Sequence, residues 1–183
     1  MEINDIIKTG KTEDVNSALT NAFGEASAGG ILLVIKKLFK ERGDDIDVNA
    51  IDGDGETALF KSSIFGHIGV TTFLLEIKGI DVNKPDKERA TPLSVASQNG
   101  HVESVSMLLG AEGIQVNKSD IQGATPLYMA SQVNRIEIIK LLLGAKGIEI
   151  NQPMNLGATP LDVAKLQKHK EIVQLLTAAG ATE

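Results

Sequence analysis

The chain of 183 residues is 42% hydrophobic and carries 24 acidic against 18 basic side chains, a net charge of −6. That is apolar enough to bury a core. The absence of cysteine excludes a disulfide scaffold, cysteine-ligated zinc and a thiol nucleophile, and the acidic balance argues against nucleic acid, where phosphate attraction supplies much of the affinity.

The opening Met1-Glu2-Ile3-Asn4-Asp5 has no apolar run of the signal-peptide kind. The longest apolar run, Ile31 to Ile35, stops at Lys36-Lys37 and is too short to span a bilayer. The expected protein is soluble, monomeric and cytoplasmic, with the nucleus as the alternative and no membrane contact. Ile3, Ile6 and Ile7 fall at helical spacing, and Thr9-Gly10 ends that helix. Thr12 opens a second helix as N-cap, with Val15, Ala18, Leu19, Ala22 and Phe23 on one face. Gly29-Gly30 breaks it, and Ile31 to Phe39 predicts a third.

From Ile46 the pattern is periodic. Thr57-Ala58-Leu59, Thr91-Pro92-Leu93, Thr125-Pro126-Leu127 and Thr159-Pro160-Leu161 stand 34 residues apart with no drift, and a fixed period of this size means stacked repeats. Each threonine caps a short helix, and in three of the four the proline at the first position gives up only an orphan donor, while Ala58 keeps the helix without that pre-organisation. Eight residues before each threonine stands Asn49, Asn83, Asn117 or Asn151. The residues between read as a projecting β-turn, with Gly55, Gly123 and Gly157 at a phase that suits positive φ. Arg89 takes that phase in one loop, so a strained or differently shaped turn is expected there, at about 1–2 kcal/mol. Ser62, Ala96, Ala130 and Ala164 keep the first helix slim, and Gly66-His67 or Gly100-His101 ends it. Asn134-Arg135 and Lys168-His169 are departures from that ending. A longer helix follows, with an apolar stripe such as Val105, Met107, Leu108 and Leu109. Neither helix buries its stripe within 34 residues, so each unit needs its neighbours.

Asp81-Val82-Asn83, Thr91-Pro92-Leu93, Ala96, Gly100-His101 and Leu108-Leu109 together resemble the ankyrin repeat in type, order and spacing. The resemblance implies an all-α fold, an ankyrin-type α-solenoid of helix-turn-helix units with projecting β-turn loops. The expected organisation is one domain over 1–183. An N-terminal capping or degenerate unit spans 1–45, full repeats span 46–79, 80–113 and 114–147, and a polar capping repeat spans 148–183.

The three histidines, His67, His101 and His169, share one repeat phase. Rungs of packed helices are about 10 Å apart, too far for one ion, so bonding to nearby backbone is the expected role. Asp52, Asp86 and Asp120 likewise share a phase, and turn hydrogen bonding explains them better than calcium, whose loop needs a twelve-residue spacing. With no phosphate-cradling loop and no nucleophile elbow in the sequence, neither catalysis nor a cofactor or metal is expected.

The resemblance implies a non-catalytic module that binds a protein or peptide on a concave face of loop tips and first helices. The outward positions in the first full unit are Gly53, Asp54, Glu56, Phe60, Ile64 and Phe65, and in the second Lys87, Glu88, Ala90, Ser94, Gln98 and Asn99. The third offers Ile121, Gln122, Ala124, Tyr128, Gln132 and Val133, and the last Asn155, Leu156, Ala158, Asp162, Leu166 and Gln167. Phe65, Tyr128 and Ile121 are expected to be exposed, with Phe60 and Leu156 as further apolar contacts, around a charged interruption at Lys87, Glu88 and Arg89. The residue after each leucine (Phe60, Ser94, Tyr128, Asp162) varies most and is expected to carry specificity. Two alternatives are an inhibitory subunit that occludes an enzyme and a substrate of asparagine hydroxylation at Asn49 and Asn83. The competing reading of these asparagines is a structural loop role.

Overall fold

A computed structural model describes residues 22–42 and 46–182. The helix expected from Ile3 to Ile7, and the start of the next at Thr12, lie outside the described residues. Ten helices run through the described part: α1 (22–28), α2 (Leu32–Arg42), α3 (Ala58–Ile64), α4 (Ile68–Leu75), α5 (Pro92–Asn99), α6 (Val102–Leu109), α7 (Pro126–Gln132), α8 (Ile136–Leu143), α9 (Pro160–Leu166) and α10 (Lys170–Ala178). No strand occurs among the described residues.

The helix starts follow the sequence. Thr57, Thr91, Thr125 and Thr159 are extended N-caps, and the hydroxyl of each accepts a hydrogen bond from the amide three residues on. That satisfies one of the donors a helix start leaves free. In two units the partner answers: Ser94 Oγ accepts from the Thr91 amide at 2.8 Å, and Asp162 Oδ2 from the Thr159 amide at 2.8 Å. These are complete capping boxes.

The helices form two layers. The inner row α3, α5, α7, α9 packs side by side, and the outer row α4, α6, α8, α10 lies behind it. Two leucine ladders hold the layers together. Leu59, Leu93, Leu127 and Leu161 belong to the inner row and Leu74, Leu108, Leu142 and Leu176 to the outer, none more than 2% exposed. Truncating one such leucine to alanine costs about 2–5 kcal/mol. Between the layers Ala96, Ala130 and Ala164 are fully buried, and their small size permits the close approach.

Two core positions depart from this pattern. The first full unit replaces the alanine by Ser62, whose Oγ accepts from Thr71 Oγ1 at 3.1 Å, a satisfied polar pair inside the core. The second places Ser104 where the other units have Val70, Ile138 and Ile172. The Ser104 hydroxyl is buried without a hydrogen-bond partner.

Candidate interaction surface

Each loop is built by its own backbone. The Asp52 amide donates to the Glu56 carbonyl at 3.1 Å and the Gly55 amide to the Asp52 carbonyl at 3.1 Å, and the same pair recurs at Asp86, Asp120 and Met154. The turn needs a left-handed residue, supplied by Gly55 (φ 83°), Gly123 (φ 82°) and Gly157 (φ 87°). Arg89 adopts φ 62° in the second loop, so this turn has the shape of the others and stores strain of about 1–2 kcal/mol. The aspartates reinforce it. Asp52 Oδ1 accepts from the Asp54 and Glu56 amides, and Asp120 Oδ1 from the Gln122 and Ala124 amides, all at 2.8–2.9 Å. Among the described residues no three His, Asp or Glu side chains converge as a metal site.

The tips are also joined to one another. The Lys87 amide donates to the Asp54 carbonyl at 3.3 Å, the Ile121 amide to the Glu88 carbonyl at 2.8 Å, and the Asn155 amide to the Gln122 carbonyl at 2.8 Å. Asn155 Nδ2 adds a bond to the Ile121 carbonyl at 2.9 Å. The row of tips is therefore one hydrogen-bonded ribbon.

Beneath the tips, the asparagines clamp unit to unit. Asn83 Nδ2 donates to the Gly113 carbonyl at 2.8 Å while its Oδ1 accepts from the Gln115 amide at 2.8 Å. Asn49 and Asn117 repeat this with Gly79 and Asp81, and with Gly147 and Glu149. Asn151 does so more loosely, at 3.5 Å to the Gly180 carbonyl. Both ends of each carboxamide are engaged, which favours the structural reading of Asn49 and Asn83.

At the far end of the inner row, His67 Nε2 bonds the Ala28 carbonyl at 2.7 Å and His101 Nε2 the Ile64 carbonyl at 3.0 Å. The expected backbone bonding is present, but the carbonyl belongs to the preceding unit. The ring covers the preceding glycine so closely that a Cβ on Gly66 would meet His101 at 2.3 Å. Arg135 takes the same seat over Gly100 and donates from Nε to the Gln98 carbonyl at 3.1 Å. Where Asn134 replaces the glycine, His169 presents Nδ1 instead, to the Ser131 carbonyl at 2.9 Å.

The wall between tips and helix ends changes along the molecule. In the first full unit Lys61 is buried, with Nζ 2.8 Å from Asp52 Oδ2 and 3.4 Å from Glu25 Oε1. Burial alone would lower the Lys61 ammonium, but the hydrogen bond and charge of Asp52, with Glu25 behind, raise it above the ordinary lysine value. Burial would raise the Asp52 carboxyl. Hydrogen bonds from Lys61 and the Glu56 and Asp54 amides hold it below the usual carboxylate range. Glu56 is pushed up by burial and then by the charge of Asp52, with Lys61 opposing. In the third and fourth units the wall is instead an apolar cluster of Ala124, Tyr128 and Val163, backed by Met129, Met154 and Ala158.

Four residues expected on the outside are inside: Phe60, Ser94, Ala124 and Tyr128. Phe60 is 1% exposed and Tyr128 7%. The side chain at this helical position turns under the loops, and Tyr128 is covered by Val163, Met154 and Ala158 of the following unit. Ser94 is buried in its capping box and Asp162 completes another, so the variable position after each leucine serves folding, contrary to the sequence reading. Phe65, Ile121 and Leu156 do face solvent, at 56%, 52% and 89%. Phe65 stacks on the His67 ring at 6.0 Å between centroids. Lys87, Glu88, Gln98, Asn99, Gln122 and Asn155 are exposed, and Gln132 is half-buried. The sequence reading missed the Lys61 network. Its signal was there: Glu56 and Lys61 interrupt columns that otherwise read alanine (Ala90, Ala124, Ala158) and apolar (Val95, Met129, Val163).

A family model described as ankyrin repeats (3 copies) matches residues 23–120 and 113–182. The chain belongs to the ankyrin-repeat family. No curated protein matches the chain. Ankyrin repeats are generally protein–protein interaction modules, and ankyrin-repeat proteins are typically non-catalytic. Among the described residues no helix is long and apolar enough to cross a membrane.

Proposed function

We propose that the chain acts as one interaction domain and binds a protein or peptide on the surface formed by its loop tips and inner helices. The observation that carries this reading is the exposure of Ile121 and Leu156 on adjacent tips of a hydrogen-bonded ribbon. Large apolar side chains held rigidly in water mark partner sites, and a pre-ordered surface loses little entropy on binding. Phe65, Lys87, Glu88, Gln98, Asn99, Gln122, Gln132 and Asn155 complete the surface. Tyr128 and Phe60 support it from beneath. Binding, not turnover, is the activity this surface suits: its buried cation is already matched by carboxylates, and its histidines are bonded to backbone.

The experiment is site-specific photo-cross-linking in the source cell. A photoreactive residue replaces Leu156 on the tips or Ser106 on the outer row, which is also exposed. Adducts with a partner protein are expected from position 156 and not from 106. Equal adducts from both positions, or adducts from 106 alone, overturn the reading.

A further inference from the structure

The surface is uneven in charge. At the first two tips (52–56 and 86–89) and in the Lys61–Glu25 pair beneath them, six carboxylates (Glu25, Asp52, Asp54, Glu56, Asp86, Glu88) stand against three cations (Lys61, Lys87, Arg89). Lys61 is already matched by Asp52 and Glu25, and Lys87 Nζ donates to the Gly53 carbonyl. Asp54, Glu56 and Glu88 enter no ion pair among the described residues. The third and fourth tips present Ile121, Gln122, Asn155 and Leu156, none charged. One end of the ribbon offers anionic side chains and the other apolar ones.

Resting on the reading above, we propose that the occupant is an extended segment of a partner protein with Lys or Arg at one end and large apolar side chains at the other. Its basic end lies over Asp54, Glu56 and Glu88, and its apolar end against Ile121 and Leu156. Three steps of about 10 Å separate the first tip from the fourth. At about 3.3 Å per residue an extended chain covers this in about nine residues. A cation brought to the first loops meets carboxylates that are in no ion pair among the described residues, which favours capture and speeds encounter. Burial first and then the charge of Asp52 raise the Glu56 carboxyl, with Asp54 and Asp86 adding to this and Lys61 opposing it. An acidic segment or a nucleic acid would be repelled there. A membrane would find two apolar side chains beside a like-charged surface.

The test selects displayed random dodecamer peptides on the full-length protein and measures the affinity of the winners by fluorescence anisotropy, at 50 and 300 mM NaCl. It uses wild type and two variants, Asp54→Asn/Glu56→Gln/Glu88→Gln and Ile121→Ser/Leu156→Ser, each checked for a cooperative melt at a temperature no lower than wild type. Winners are expected to carry Lys or Arg at one end and Leu, Ile or Phe at the other. Ile121→Ser/Leu156→Ser should weaken them at least tenfold. The charge variant should weaken them severalfold and flatten the salt dependence. Winners without basic residues, or indifferent to the charge variant but weakened by Ile121→Ser/Leu156→Ser, overturn this partner chemistry and leave the surface assignment standing. Winners indifferent to both variants, or no winner above blank support, overturn both.

Discussion

One residue before and four after the helix-opening threonine stand Glu56 and Lys61 in the first full unit, and Ala124 and Met129 in the third. The backbone is the same at both places: threonine cap, aspartate-braced turn, asparagine clamp. In the first, Lys61 holds Asp52 and also reaches Glu25, 36 residues back in the sequence. In the third, Asp120 holds its turn through backbone amides and enters no ion pair among the described residues, and Tyr128 fills the space with Val163 and Met154. The contrast separates two jobs. Hydrogen bonds to the main chain set the frame, and the wall between them is free to be ionic or apolar. It is through that freedom that a repeat with constant pitch acquires a local chemistry.

Removing the apolar wall should have the largest effect. Tyr128→Ala is expected to cost about 3 kcal/mol in urea unfolding, as for large buried aromatics, whereas Phe65→Ala on the exposed end should cost less than about 0.5 kcal/mol. Equal costs would erase the distinction between buried and exposed aromatics. Next, Lys61→Met should destabilise by about 2 kcal/mol, because it leaves carboxylates half-buried without their cation. Adding Glu56→Ala should recover most of this by giving the first unit the wall of the third. If the double variant is no better than the single, the two walls are not interchangeable.

Titration sharpens the same contrast. The raised Glu56 carboxyl disfavours its own charged form in the fold, so its penalty stands at neutral pH and is relieved as pH falls through the folded value toward the unfolded one. The lowered Asp52 carboxyl contributes stability above its unfolded value, lost as pH falls through the folded one. Melting temperature should therefore rise slightly on mild acidification and fall on stronger acidification. Glu56→Gln should abolish the rise and keep the fall. A wild-type curve that declines from neutrality downward would contradict the sign.

Behind the wall, Ser104→Val should add about 1 kcal/mol by removing an unpaired buried hydroxyl at a place where Val70 already fits. Smallest, Arg89→Gly should add about 0.5 kcal/mol, relief of the left-handed strain outweighing the extra freedom of the unfolded chain. Both are read as shifts in the urea midpoint. A loss in either case would show that the side chain makes contacts its repeat phase does not reveal.

The frame was legible in the sequence because it is local or periodic. A threonine three residues before the amide it caps, or a glycine at a fixed phase, can be counted without coordinates. What could not be counted was burial imposed by another unit. Tyr128 looks outward on the repeat pattern of its own helix, yet its cover comes from Met154, Ala158 and Val163 in the next unit. The same holds for Lys61, whose second carboxylate sits in α1, and for the histidines, whose carbonyl acceptors lie 37–39 residues back. Exposure was read correctly at Ile121 and Leu156, where neighbouring tips join through backbone and Asn155 and leave these two side chains in solvent.

The seat of His101 over Gly66 bears on how such a chain can change length. A glycine accepts either ring or guanidinium above it, as Gly66 and Gly100 do. Excising 34 residues that contain the second full unit would bring Gly66 beneath Arg135, a pairing of the kind already present one rung further on. Every junction would remain occupied. Loss or duplication of a unit is thus a change of register the scaffold can absorb, and the reach of the binding surface becomes a quantity that varies in whole rungs.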